Sequence, residues 1–154
     1  MRKSLSETSS ATRGEQTLLW SGLIATALIA VWALVDPLTG KLLARQVQEG
    51  YPSYSAAEAS GEATIYMLIL VTVGVLGVLG WITTLLLIRK GKRAAAVWTG
   101  SALCIVGILL AVTGLTMTDE SGVVGLAPAF GWALLVPCVL GVLAIIAMWR
   151  KGAR

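Results

Sequence analysis

Two cysteines are the side chains of this 154-residue chain best equipped for chemistry. Cys104 stands 11 residues after Arg93, and Cys138 stands 12 residues before Arg150. If their two segments run antiparallel, both thiols lie roughly 16 to 18 Å from one membrane face, at ~1.5 Å per helical residue. A thiol pair at a shared depth is the minimum for a redox couple or for a relay of a soft metal such as copper or mercury. No C-x-x-C spacing supports either use. Cysteine is also a small apolar residue that fills seams between helices, and packing is the preferred reading here.

Carboxylates are the next candidates. Asp36, Glu49, Glu58, Glu62, Asp119 and Glu120 all fall outside the apolar runs. Converging carboxylates hold divalent cations through oxygen, but this spacing matches no calcium loop, and charges at membrane exits are normally just solvated. No metal site is expected. The basic cluster Arg89, Lys90, Lys92 and Arg93 suits anionic lipid headgroups, each charge contributing on the order of 1 kcal/mol near such a surface.

Missing residue types exclude more than the present ones suggest. The chain has no histidine, which removes histidine-ligated haem, zinc and iron, and histidine general bases. It has no asparagine, hence no N-glycosylation acceptor. The apolar runs carry no Asp, Glu, Lys or Arg, the usual marks of ion pathways, proton relays and coupled transport. No nucleophile–base pair can be assembled. No catalytic residue, no cofactor and no nucleic-acid partner are expected, and the chain reads as no enzyme.

The elements that position these groups follow from hydropathy. Hydrophobic residues make up 56% of the chain and charged residues 13%, against about a quarter charged in soluble domains. The apolar residues gather in four runs, about 18–35, 63–88, 94–117 and 129–149, each long enough for a ~30 Å hydrocarbon layer. The expected fold is all-α, an integral membrane bundle of four up-down transmembrane helices in one domain, residues 18–149, with a Ser/Thr-rich flexible tail over 1–17 and a basic tail over 150–154. A secretory signal peptide is the competing reading of the first run. Against it stand Trp20 and Trp32 near the run's ends and Asp36-Pro37 after it, where a cleavage site would need small residues.

The third run is the organising one. Ala96, Gly100, Cys104, Gly107, Ala111 and Gly114 recur at spacings of three and four, forming a helix stripe about 80° wide at ~100° per residue. Such a seam lets another helix approach closely in lipid. Gly22, Thr26, Ala30 and Ala33 give the first run a similar face, and Gly74, Gly77 and Gly80 thin the second just before Trp81. Pro137 should kink the fourth. Between the first and second runs, Leu38, Leu42, Leu43 and Val47 suit either a short surface helix or an ordinary loop. Ser55-Ala-Ala-Glu58 is a capping box that starts the second helix early.

Charge orients the bundle. Ten of the 12 lysines and arginines lie in the N-terminal tail, the 89–93 turn and the C-terminal tail; Lys41 and Arg45 are the exceptions. The positive-inside rule then puts both termini and that turn in the cytoplasm, across a plasma (inner) membrane. Five tryptophans, at 20, 32, 98, 132 and 149, fall near run ends as an aromatic belt. The function these features favour is a non-enzymatic accessory or self-associating module working through helix contacts. Its expected partners are the lipid bilayer, anionic headgroups, and a second copy or another membrane protein. A small transporter or channel for a neutral or metal solute, formed by oligomerisation, is the alternative. A membrane thiol oxidoreductase is a weaker one.

Overall fold

The computed structural model describes residues 2–118 and 122–152, with the side chains of 2–13 and 151–152 outside that description. Five α-helices follow in order: α1 (Arg2–Val35), α2 (Leu42–Gly50), α3 (Ala56–Arg89), α4 (Arg93–Thr116) and α5 (Pro128–Gly152), with a 3-10 turn at Asp36–Leu38. The fold is all-α. An isolated bridge between Thr118 and Val124 is the extended pairing among the described residues. Four helices are long and apolar enough to cross a membrane.

Helix boundaries follow local chemistry. Ser55 accepts from the Glu58 amide at 3.3 Å while the Ser55 amide donates to the Glu58 carboxylate at 2.7 Å, which settles two otherwise unpaired donors at the start of α3. At its other end Gly91 adopts φ +72°. The Gly91 amide then donates to the Ile88 carbonyl and the Lys92 amide to that of Leu87, a Schellman turn that reverses the chain into α4. A side chain at Gly91 would strain this turn.

The short surface helix forms. α2 buries Leu43 and Val47 against α3, while Leu38 stays outside in the 3-10 turn, 84% exposed. Helix α1 begins at Arg2, well before the boundary that hydropathy sets near Leu18. Residues 2–13 contain neither proline nor glycine to stop it.

Each long helix packs against two others: α1 on α3 and α5, and α4 on α3 and α5. Small residues set the α1–α3 approach. A Cβ placed on Gly74 would come 2.5 Å from the Ala30 Cβ, and one on Gly77 would come 2.9 Å from the Thr26 methyl. The core divides into two clusters. Ala33, Leu43, Ala63, Leu70, Ala127 and Phe130 close one end, with Trp32 against Phe130 at 4.4 Å between ring centroids. Leu19, Leu85 and Ala144 close the other, packed by Trp81 and Ile88.

Polarity is arranged inside out. Ile24, Leu28, Leu68, Leu76, Ile105, Leu109, Val139 and Ile146 face outward, whereas Glu15, Asp36 and Thr84 are buried.

Candidate functional site

Between the two core clusters lies a cleft of about 200 Å³, lined by all four long helices. Thr26 comes from α1, Gly77 and Trp81 from α3, Cys104 and Gly107 from α4, and Pro137, Cys138 and Gly141 from α5. Its rim holds Leu76, Leu103, Val106 and Leu110, all exposed side chains of α3 and α4. The cleft therefore opens sideways between those two helices. No lining residue is charged.

The stripe on α4 faces α5 along most of its length. A Cβ on Gly107 would sit 3.4 Å from the Cys138 sulfur, and Gly100 lies near Met148 and Ile145 of α5 and Thr84 of α3. A Cβ on Gly141 would sit 3.4 Å from the Cys104 sulfur, and Gly114 lies under Leu126 in the loop before α5. Ala96 and Ala111 are fully buried.

Both thiols line the cleft, and no disulfide joins them. Cys104 Sγ donates to the Cys138 carbonyl at 3.7 Å, and Cys138 Sγ to the Leu134 carbonyl at 3.2 Å. Each sulfur thus works as a small packing group with a weak donor. Among the described residues no three His, Cys, Asp or Glu side chains gather to hold a metal; Asp119 and Glu120 lie outside those residues.

The basic cluster divides. Arg89, Lys90 and Lys92 are exposed. Arg93 is half-buried: its guanidinium pairs with Glu15 of α1 and donates to the Met148 carbonyl of α5 from Nη2 at 2.9 Å and from Nε at 3.3 Å. One side chain thereby ties the first half of α1, the start of α4 and the last turns of α5. Glu15 is 3% exposed, and burial of a carboxylate is affordable only beside such a partner.

Asp36 is buried for a different reason, at 1% exposure. Its carboxylate accepts from the Leu42 amide at 2.9 Å and the Leu43 amide at 3.1 Å, capping α2 from six residues upstream, where the helix dipole favours negative charge. Hydropathy alone places Glu15 in a tail and Asp36 among solvated outer carboxylates. The available signals were Arg93, an arginine that starts a helix next to an acidic partner's end of the bundle, and a lone Asp just ahead of a helix.

Trp81 is the other residue the pattern underplays. It is the one tryptophan far from any run end, and its indole N–H donates to Thr26 Oγ1 at 3.0 Å. The ring lies directly over Gly22, where any Cβ would overlap it.

Comparison with known proteins finds no matching family model, curated protein or solved structure.

Proposed function

We propose that this chain is a non-enzymatic integral protein of the plasma membrane, spanning it four times in up-down order with both termini and the 89–93 turn in the cytoplasm. It acts through helix contacts in the plane of the bilayer, with a second copy or another membrane protein. The inside-out polarity carries the membrane reading. Apolar side chains cover the outer faces of all four long helices, and in water that surface would far exceed the few hundred Å² a monomer tolerates. The lysine and arginine distribution supports the orientation.

The uneven closure of the bundle supports one location for that contact. The seam of α4 is occupied by α5, so it is not the free surface. The α3–α4 side is, because the cleft opens there and α4 is the least buried of the four long helices. A photo-crosslinking side chain at Val106 tests this in native membranes. A discrete protein adduct is expected, with a weaker one from Ile146 on α5. Adducts to lipid alone at both positions would remove the partner role.

A further inference from the structure

All three tyrosines of the chain, Tyr51, Tyr54 and Tyr66, line one pocket of about 140 Å³ at the end of the bundle opposite the basic turn. The volume is far above the ~15 Å³ that a single water requires. Tyrosines that merely mark a membrane interface are distributed around the perimeter; here the loop after α2 and helix α3 bring them together. Tyr51 and Tyr54 follow α2 and stack at 4.8 Å between centroids, 14° from parallel. Tyr66 comes from α3, and its hydroxyl lies so close to Gly125 that a Cβ there would come within 2.8 Å.

The pocket is built by side chains that hold backbone. Gln48 Nε2 donates to the carbonyl of Tyr54 at 2.8 Å, which fixes the aromatic loop against α2. Gln46 Nε2 donates to the Val124 carbonyl at 2.8 Å and draws the opposite wall onto the same helix. Glu62 is the one charged side chain in the lining, and it has no ion pair among the described residues. Lys41 and Arg45 do not line it.

Tyrosine rings lining a pocket with a single carboxylate, and no cation paired to that carboxylate among the described residues, suit one class of ligand. The geometry points to a binding site for a small quaternary ammonium group, held by the ring faces through cation–π attraction and by Glu62 through charge. A divalent metal is a poor fit, since one carboxylate cannot supply its oxygen shell. The methylated ammonium can arrive on a free solute or on a choline headgroup at this membrane face.

The test uses the full-length protein in phosphatidylglycerol nanodiscs, titrated with tetramethylammonium chloride and followed by saturation transfer to its methyl protons. Saturable transfer is expected. Tyr54→Leu and Glu62→Gln should each weaken it roughly fivefold, while Tyr54→Phe, which keeps the ring face, should stay within about twofold. Glu62 is exposed, so that variant reads the site without disturbing the fold; an unchanged thermal midpoint confirms it. Repeating the titration in phosphatidylcholine nanodiscs identifies the source. Lost binding there assigns the site to the lipid headgroup, retained binding to a free solute, and both support it. No saturable transfer in phosphatidylglycerol, or equal affinity in all the variants, would overturn the proposal and leave the tyrosines as an interface belt.

Discussion

The indole N–H of Trp81 donates to the hydroxyl of Thr26 at 3.0 Å, and that hydroxyl donates onward to the Gly22 carbonyl at 2.8 Å. This two-bond relay joins α3 to α1 beside the central cleft, in surroundings where lipid offers no competing donor. Interhelical hydrogen bonds in membranes contribute about 0.6 kcal/mol on average and at most ~1.7. Trp81→Phe should therefore destabilise the bundle by about 1 kcal/mol. Gly22→Val should cost more, about 2–3 kcal/mol, because its side chain would occupy the space of the indole. Unfolding in mixed detergent, followed by circular dichroism, gives the order. If Gly22→Val is the milder of the two, the ring does not sit where it is described.

The Arg93 clamp predicts an asymmetric pair of effects. Arg93→Ala strands a buried carboxylate and the Met148 carbonyl together, at a cost of about 3 kcal/mol, the lower end of the range for buried pairs because Arg93 is 34% exposed. Glu15→Gln leaves an amide that still accepts from the guanidinium, and should cost about 1 kcal/mol. Arg93→Lys should fall between them, since lysine keeps the charge but lacks the planar fork that reaches two acceptors. The same unfolding assay measures all three. Equal losses for Arg93→Ala and Glu15→Gln would mean that the contact to Met148 contributes nothing.

At the α4–α5 crossing, Gly107→Leu should disturb packing more than Leu109→Ala. The Gly107 position has a sulfur 3.4 Å from any added Cβ, so a larger side chain must push α5 away. Leu109 points outward at 60% exposure, toward lipid as apolar as itself. Detergent stability of the two variants decides it, and a milder Gly107→Leu would contradict the close crossing.

The thiols should stay reduced in native membrane. Each donates to a backbone carbonyl of α5, and Cys→Ala at either site should cost only about 1 kcal/mol. Mass spectrometry of alkylated protein reads the bond directly. An intact Cys104–Cys138 disulfide would favour the redox reading instead.

Much of this architecture is legible in the residues because lipid imposes simple rules. Run length places the four long helices, Ser55 and Glu58 announce the start of α3, and the small faces of α1 and α3 meet as their spacing suggests. What hydropathy could not show is where polar groups find partners across the chain. Glu15 and Asp36 look like solvated charges until Arg93 and the amides of Leu42 and Leu43 are brought beside them by folding. The seam on α4 was visible as a stripe, but not that α5 would be the helix to fill it. The tyrosine pocket joins residues from α2, α3 and the loop before α5, and no local pattern links them.

Topology underlies both the proposed contact surface and the outer pocket. A fluorescent reporter fused after Arg154 folds in the cytoplasm, and a phosphatase inserted in the 51–55 connection is active only beyond the membrane. Four spans with the basic turn inside predict fluorescence from the first and activity from the second. Phosphatase activity from a fusion after Arg154, or its absence at 51–55, would contradict the arrangement from which the contact surface and the outer pocket are both derived.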